Sequence, residues 1–455
     1  METLWAEQAL IADEWRKDVA LTIDGGRITA IAEGAPAQGH RVGLLVPAPC
    51  NGHSHAFQRA MAGLSEARGP EADSFWTWRS LMYRFLDLLT PDQVEAITAM
   101  VQMEMLEAGF GASVEFHYLH HQADGRPYDN LAEMSERVAA AAEISGIGLT
   151  LLPVMYQYGG CDGRALQGGQ RRFGNDLDRY ANLLEGAKAA LTHLPPDARL
   201  GVAPHSLRAV APEDLMAVAQ MAQGGPIHMH LAEQLPEVAE VEAHLGARPV
   251  TWTLDNLDID ARWSLIHLTQ MTPAETQAMA ASGASAGLCP LTEASLGDGI
   301  FDGVRWMACG GRIAIGSDSN IRISLAEELR QLDTSQRLRD HSRAALATPA
   351  LSTGRRLMQA AAQGGGQASG RGSGRLEIGA WADLLALDLA HPDLAGLAPD
   401  TALDTFVFAG GQEMVRDVWS GGRHLVRDGR HIARDTIRQS YATAVAPLRS
   451  ASLTR

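Results

Sequence analysis

Two histidines one residue apart stand near the start of the chain, in the run Asn51-Gly52-His53-Ser54-His55. If this run is a β-strand, both imidazoles point to the same face, because alternate side chains on a strand share a face. Two imidazoles on one face can bind one metal ion. The pair alone is a weak signal, since histidines at this spacing also occur in buried cores and on surfaces.

Later histidines and carboxylates extend this pattern. The run Ile227-His228-Met229-His230-Leu231-Ala232-Glu233 offers a second histidine pair and a carboxylate, and either histidine could be a ligand. His267 ends an apolar run, and Asp318 follows another apolar run and a glycine. Each group comes where a predicted strand ends, which is where a parallel barrel keeps its active site. Taken in this order, the residues predict a metal-binding active site.

The stretches between these residues alternate between short apolar runs and longer segments of helical period, as repeated βα units require. Thr90-Pro91-Asp92-Gln93 predicts a helix start, because it offers an N-cap, a proline at the first helical position and a glutamine at the third. The fold class predicted is α/β, a (β/α)8 TIM-like barrel. Its eight strands are predicted at residues 44–47, 112–116, 148–155, 200–203, 227–231, 264–267, 284–288 and 313–316.

Both ends of the chain differ from the barrel region. Residues 19–31 have a hairpin pattern around Asp24-Gly25-Gly26. Further strands are predicted at residues 376–389, 405–409, 413–420 and 423–427. The two ends, residues 1–48 and 350–455, are therefore predicted to form one composite β-sandwich domain beside a barrel of residues 49–349. The glycine- and serine-rich residues 363–375 are predicted to be a flexible surface loop.

Composition excludes several classes of protein. The 455 residues carry a formal net charge of −16, which disfavours nonspecific binding to nucleic acid or to anionic membranes. The cysteines have no CxxC spacing, so we expect reduced thiols rather than disulfides; they are Cys50, Cys161, Cys289 and Cys309. The start of the chain lacks a basic segment followed by an apolar one, and no run is long enough to span a bilayer. A soluble, cytoplasmic protein with a small-molecule substrate is expected.

The chemistry-bearing residues resemble the amidohydrolase superfamily. Residues 44–55 also resemble the superfamily's entry into the first barrel strand, and Gly379-Ala380-Trp381-Ala382-Asp383-Leu384 its return to the flanking sheet. The resemblance implies a metal at the C-terminal mouth of the barrel. The ligands it implies are His53, His55, His230 and Asp318. It also implies that His267 and Asp318 orient the attacking water and accept its proton. These ligand types suit zinc, with iron and manganese as alternatives.

The lysine content bears on the number of metal ions. The chain has two lysines, Lys17 and Lys188, so nearly all of its positive charge is arginine. Two-metal members of the superfamily usually bridge their ions with a carboxylated lysine at the end of the fourth strand, and residues 199–210 contain none. The resemblance therefore implies one divalent metal ion per subunit.

Narrower stretches resemble the family of deiminases that act on N-formimino-L-glutamate. They are Glu115-Phe116-His117-Tyr118, Ala203-Pro204-His205-Ser206-Leu207-Arg208, residues 228–234 and Gly297-Asp298-Gly299-Ile300-Phe301. This likeness implies hydrolysis to N-formyl-L-glutamate and ammonia in histidine degradation, by a homodimer. Glu233 would pass a proton to the departing nitrogen. His228 would be a packing residue near the site and not a metal ligand. Leu291 and Ser295 depart from the family's usual Thr and Asn, which leaves details of that loop open.

A substrate with two carboxylates needs local cations in so acidic a protein, and arginine binds a carboxylate through two parallel hydrogen bonds. The resemblance assigns Arg79 and Arg208 to this task, with Arg59 and Arg322 ranked lower. Supporting hydrogen-bond partners are Gln58, Tyr118 and His205. Two alternatives remain open. One is another aminohydrolase of the superfamily with a guanine-like or purine-derived substrate. The other, ranked last, is a noncatalytic assembly protein on the same barrel, which should have lost metal ligands.

Overall fold

The computed structural model describes residues 1–64, 66, 82, 83 and 85–453. It contains a barrel of parallel strands and a second, largely antiparallel sheet formed by the two ends of the chain. The strands are β1 (Glu2–Ile11), β2 (Glu14–Asp24), β3 (Arg27–Ala32), β4 (His40–Pro47), β5 (Cys50–Ser54), β6 (Ala112–His117), β7 (Gly148–Met155), β8 (Arg199–Leu200), β9 (Ala203–Pro204), β10 (Ile227–Leu231), β11 (Trp263–His267), β12 (Ser285–Leu288), β13 (Arg312–Ile315), β14 (Leu384–Leu387), β15 (Val415–Ser420), β16 (Arg423–Arg427) and β17 (Arg430–His431).

Helices lie between the barrel strands and, beyond β13, along the C-terminal part of the chain. They are α1 (Pro91–Glu107), α2 (Glu133–Ser145), α3 (Leu177–Ala190), α4 (Pro212–Met221), α5 (Leu235–Leu245), α6 (Pro249–Asn256), α7 (Pro273–Ala281), α8 (Pro290–Leu296), α9 (Gly303–Ala308), α10 (Leu325–Asp340), α11 (Thr353–Ser369), α12 (Pro399–Phe408) and α13 (Arg434–Leu453). Short 3-10 turns occur at Ala56–Met61, Gly168–Arg172, Leu191–His193 and Gln412–Met414. Within the described ranges, no helix is long and apolar enough to cross a membrane.

The start of α1 confirms the predicted capping pattern. The Thr90 side chain accepts a hydrogen bond from the Gln93 amide, and the Gln93 side chain accepts one from the Thr90 amide. This reciprocal arrangement satisfies two backbone donors that have no partner inside a helix. The apolar face of the helix packs into the core through Val94, Ile97, Val101 and Met105.

Parallel pairing runs through two arcs, β5-β6-β7-β8 with β9, and β10-β11-β12-β13. Bridges between Val202 and Ile227 and between Ser54 and Asp318 join the arcs into a closed barrel. The second to eighth predicted strands are confirmed with small shifts, and the fourth is divided between β8 and β9. Closure brings the carboxyl ends of all these strands to one mouth.

The predicted first barrel strand at residues 44–47 is wrong. These residues belong to β4, which pairs with β1 and β14 in the terminal sheet, and the first barrel strand is β5. Residues 42–54 are buried throughout. The sequence pattern therefore does not mark where the strand of the terminal sheet ends and the first barrel strand begins. The chain leaves the terminal sheet at Ala48, whose amide donates to the Asp383 carbonyl, and at Pro49, which has no amide hydrogen.

The terminal sheet has the strand order β17-β16-β15-β14-β4-β1-β2-β3, and within it β1 and β4 are parallel. The predicted hairpin is confirmed as β2 and β3, joined through Gly25 and Gly26 at φ +55° and +81°. Positive φ at both turn residues suits the twist of a two-residue hairpin. The two termini thus build one β unit beside the barrel, as predicted.

Several predictions beyond residue 350 are wrong. Residues 405–409 lie in or next to α12 rather than in a strand, and strand structure in residues 376–389 is confined to β14. Residues 363–369 are the end of α11 rather than a flexible loop. That helix packs on β5 and β13, and a Cβ on Gly364 would lie 1.8 Å from the Ile313 carbonyl oxygen. The glycines there allow close packing, and the predicted domain division at residue 349 stays a proposal.

A buried ion network follows this helix and ties the barrel to the terminal sheet. Arg371 is fully buried and lies 2.9 Å from Asp197 and 3.1 Å from Asp383, while Arg423 lies 2.8 Å from Asp197. Burial alone would raise the pKa of Asp197, but Arg423 and Arg371 outweigh it and hold that pKa below its usual value. Arg371 therefore has a structural role that the glycine-rich sequence around it does not indicate.

We expect Arg371→Met to lower the free energy of unfolding by about 3–5 kcal/mol, because it leaves a buried carboxylate without its partner. Urea unfolding followed by circular dichroism measures the change. Arg375→Met is the matched control, since Arg375 pairs with Asp13 on the surface and the change should stay within about 0.5 kcal/mol. Equal effects of the two substitutions would contradict a structural role for the network.

Candidate active site

Four side chains from three parts of the barrel meet at its C-terminal mouth. They are His53, His55, His230 and Asp318, all of them buried, with ligand-type atoms that lie within 4.8 Å of one another. His53 Nε2 lies 3.1 Å from His230 Nε2 and 3.5 Å from an Asp318 carboxylate oxygen, and His55 Nε2 lies 3.2 Å from the same oxygen. Ligand atoms of a tetrahedral zinc ion with bonds near 2.0 Å stand about 3.3 Å apart, so the spacing fits a divalent cation.

Hydrogen bonds to backbone carbonyls orient two of the histidines so that their Nε2 atoms face the centre of the cluster. His55 Nδ1 lies 2.9 Å from the Phe116 carbonyl, and His230 Nδ1 lies 3.1 Å from the His205 carbonyl. Because a carbonyl only accepts, both Nδ1 atoms carry the proton, and each Nε2 presents its lone pair to the site. Converging lone pairs beside a carboxylate are stabilised by a bound cation.

Burial also keeps these imidazoles neutral. Desolvation lowers the pKa of His53 to about 3, and it lowers the pKa values of His55 and His230 as well. Desolvation opposes ionisation of Asp318 too, but a hydrogen bond from His53 and the electrostatic interactions with the surrounding histidines, the protonated His267 among them, outweigh it and lower its pKa. Neutral imidazole and ionised carboxylate are the forms that bind a metal ion.

Asp318 reaches this cluster because the last barrel strand is joined tightly to the first. Its amide donates to the His53 carbonyl, and its own carbonyl accepts from the His55 amide. A Cβ on Gly316 would lie 2.7 Å from the His53 amide nitrogen, so this close approach requires glycine. A buried network reinforces the junction through Asn51, Ser54, Ser317 and Asn320. Sequence reasoning missed this network, although Asn51 is part of the first histidine motif and Ser317 directly precedes Asp318.

Positive φ angles accumulate at the same mouth. His267 has φ +76°, Asp318 +44° and Ala232 +53°, and Leu268 and Asn320 share this region. Such conformations are unfavourable for residues with a Cβ and persist where the surrounding structure imposes them, often at functional sites. They end β10, β11 and β13 in geometries that turn the functional groups into the mouth.

A second group of side chains continues from the cluster. Glu233 lies 3.7 Å from His267 Nε2, and His267 Nδ1 lies 3.3 Å from Glu293. Burial raises the pKa of Glu233 above its usual value. Burial opposes protonation of His267, but Glu233, Glu293 and Asp318 together raise its pKa well above 6.5. Sequence reasoning missed Glu293, which lies on α8 and has no motif of its own.

A cavity of about 550 Å³, including space open to solvent, lies over these groups. The described part of its lining brings together most of the predicted substrate-binding residues, namely Gln58, Tyr118, His205 and Arg208. The Gln58 amide donates to the Tyr118 hydroxyl over 2.6 Å. Further lining residues that sequence reasoning missed are Met82, Tyr83, Tyr156, Phe173 and Leu296. Arg79 lies outside the described residues.

The lower-ranked arginines are engaged elsewhere. Arg59 pairs with Glu104 at 2.7 Å and Arg322 with Glu327 at 2.6 Å, and neither lines the described cavity. The two departures from the family pattern, Leu291 and Ser295, are likewise absent from the described lining. Of this segment, the neighbouring Leu296 lines the cavity instead.

Comparisons with known proteins agree with this geometry. Residues 44–425 match the amidohydrolase family, and residues 1–41 match the N-terminal domain of formimidoylglutamate deiminase HutF. A solved amidohydrolase from Brucella melitensis is 47% identical with a TM-score of 0.95, over 99% of this chain and 100% of that one. A zinc-bound adenosine deaminase from Xanthomonas campestris shares the fold at 21% identity and a TM-score of 0.82, over 98% of both chains.

The barrel and its buried cluster thus define a hydrolase of the amidohydrolase family, to which this chain belongs. Formimidoylglutamate deiminase of Pseudomonas aeruginosa is 45% identical to it over 98% of this chain and 100% of that one. Within the amidohydrolases, the chain is a member of the formimidoylglutamate deiminase family.

His230 and His228 test the cluster as a matched pair. We expect His230→Ala to lose bound divalent metal, because it removes one of the converging lone pairs. His228→Ala should keep the metal, since the His228 ring lies 2.8 Å from the Ala368 carbonyl and is not part of the cluster. Metal analysis of the two purified variants by mass spectrometry measures the difference. Retention of metal in both would exclude His230 as a ligand.

Glu293→Gln tests the group behind His267. We expect kcat to fall about 10- to 100-fold with bound metal unchanged, the range typical when the hydrogen-bond partner of an active-site histidine is lost. Steady-state kinetics and metal analysis measure both quantities. The control is Glu328→Gln, because Glu328 is also buried but accepts from the Leu291 amide instead. An equal loss of kcat in both variants would contradict a specific role for Glu293.

Proposed function

We propose that this protein hydrolyses N-formimino-L-glutamate to N-formyl-L-glutamate and ammonia, the deimination that belongs to histidine degradation. The observation that carries the proposal is one cavity that combines the four-residue cluster, a buried glutamate of raised pKa and an arginine. Membership of the formimidoylglutamate deiminase family supports the same reaction.

One divalent metal ion per subunit, zinc by preference, completes the site in this proposal, held by His53, His55, His230 and Asp318. When bound, it supplies an activated water as the nucleophile. The absence of lysine near the fourth strand supports a single ion, since Lys188 lies on α3 and Lys17 on β2.

The proton transfers are assigned to residues around that centre. His267 and Asp318 orient the attacking water, and the ionised Asp318 accepts its proton, because the neighbouring carboxylates raise the pKa of His267 and favour its protonated form. Glu233 then passes a proton to the nitrogen that leaves as ammonia. Its burial raises its pKa, which lets it hold a proton nearer neutral pH and release it to a stronger base. Its backbone is held in place, because its amide donates to Glu237 over 2.9 Å.

Recognition of the substrate is assigned to other side chains that line the same cavity. Arg208 is the arginine in the described lining, and its Nε has no hydrogen-bond partner among the described residues. A substrate carboxylate would supply that partner. Gln58, Tyr118 and His205 line the same cavity as further hydrogen-bonding groups, and Arg79 remains the candidate for the second carboxylate.

One observation favours a second candidate, an aminohydrolase for a guanine-like or purine-derived ring. Tyr118, Tyr156 and Phe173 all line the cavity, and aromatic walls can stack on a planar ring. A purine-like ring needs aromatic stacking and amide contacts but no cation, so it does not explain the presence of Arg208 in the cavity. A dicarboxylate substrate does explain it and is therefore preferred.

An ammonia-release assay distinguishes these substrates. With the purified metal-loaded enzyme, we expect ammonia from N-formimino-L-glutamate, much less from formiminoaspartate and none from guanine. Formiminoaspartate has one methylene group fewer between its two carboxylates, so we expect it to engage the same groups less well. Release from guanine alone would replace the proposal with its alternative.

Arg208→Met tests carboxylate binding separately. We expect kcat/KM to fall roughly 30-fold or more, because losing one side of a buried charged pair costs about 2–5 kcal/mol. Bound metal should be unchanged, since Arg208 is not part of the cluster. Arg322→Met, which removes a surface pair, is the control for lost charge. Loss of metal in Arg208→Met would mean that this arginine supports the fold instead.

A further inference from the structure

We propose a second divalent-cation site, formed by His40, Asp417 and His424 on the terminal sheet. Their ligand-type atoms also lie within 4.8 Å of one another. His40 begins β4 from the N-terminal part of the chain, whereas Asp417 and His424 lie on β15 and β16 from the C-terminal part. The site shares no residue with the barrel cluster and does not depend on the proposed function.

The distances suit coordination of one ion. His424 Nε2 donates a hydrogen bond to one Asp417 carboxylate oxygen over 2.7 Å, which a bound ion would replace with loss of that proton, and His40 Nε2 lies 3.4 Å from the other oxygen. Ligand atoms of a tetrahedral zinc ion stand about 3.3 Å apart, so only small side-chain rotations are needed to admit the ion. Three protein ligands then leave a fourth position for water.

Trp419 holds the two imidazoles in this arrangement. The His424 ring stacks on Trp419, with centroids 4.2 Å apart and planes at 14°, and the His40 ring meets the same indole edge-on at 5.5 Å. Trp419 and His424 are direct partners between β15 and β16, and Asp417 lies two residues before Trp419 on the same face of β15. The aromatic contacts restrict both rings before any ion binds.

Two of the ligand atoms have unmet hydrogen-bonding capacity. Among the described residues, neither His40 Nε2 nor the Oδ2 atom of Asp417 has a hydrogen-bond partner, and the Asp417 side chain is only 2% exposed. A buried carboxylate without full compensation is unfavourable, and a cation at this point would compensate it. Arg416 lies 3.5 Å from the same oxygen but is also 3.6 Å from Asp428, an exposed alternative partner.

The donor set selects the class of ion. Two imidazoles and one carboxylate suit zinc and neighbouring transition metals, whereas magnesium and calcium prefer oxygen ligands alone. The His40 side chain is 35% exposed, whereas its Nε2 atom is buried against the carboxylate, so the rim of the site reaches solvent through the outer edge of this ring. Bound there, the ion would link β4 to β15 and β16 and so stabilise the sheet that the two ends of the chain build together.

Zinc stoichiometry tests the site. The purified holoenzyme is dialysed against micromolar zinc chloride and then against metal-free buffer, and zinc per chain is measured by mass spectrometry. We expect His40→Ala to bind one zinc ion fewer per chain than the unsubstituted protein. The matched control is His244→Ala, an exposed histidine on α5 outside both clusters, which should bind as much as the unsubstituted protein.

Thermal unfolding gives an independent measurement. Added zinc should raise the Tm of the unsubstituted protein and of His244→Ala, but not that of His40→Ala. His424→Gln repeats both measurements in case His40→Ala does not fold. Equal zinc content in His40→Ala and His244→Ala would overturn the proposal, as would an equal rise in their Tm values.

Discussion

The junction between the first and last barrel strands is the constraint on which the active site depends. Backbone hydrogen bonds of Asp318 to His53 and His55 close the barrel and, by the same contacts, set the carboxylate against the two imidazoles. Gly316 allows the approach, and the amide and hydroxyl groups of Asn51 and Ser317 fix it. The same interactions close the barrel and build the cluster.

Low solvent access then decides the chemistry of each group. Desolvation keeps the three clustered histidines neutral, raises the pKa of Glu233 and makes every remaining charge depend on a specific partner. The same physics operates far from the site, where buried Arg371 is stable because Asp197 and Asp383 surround it. The side chains of the candidate active site and the structural ion network therefore follow from one requirement, that buried charge be compensated.

Local patterns predicted much of this molecule because they report on local physics. The capping residues Thr90 and Gln93 fixed the start of α1, and apolar runs with a polar residue at the end located β10, β11 and β13. Prediction failed where the deciding partner was distant. Residues 363–369 look flexible because of their glycines, yet these glycines let α11 pack directly on the backbone of β13.

The order and identity of the histidines and carboxylates were set in the amino-acid sequence, together with the alternation of strands and helices that carries them. These follow from side-chain chemistry and from periodicity, which act over a few residues. Tertiary structure alone decided that β4 pairs in the terminal sheet rather than in the barrel, and that Glu293 contacts His267. It also decided that the side chains of His40, Asp417 and His424 lie close together. Each of those outcomes joins residues far apart in the chain, and only close packing of the whole fold determines which distant residues touch.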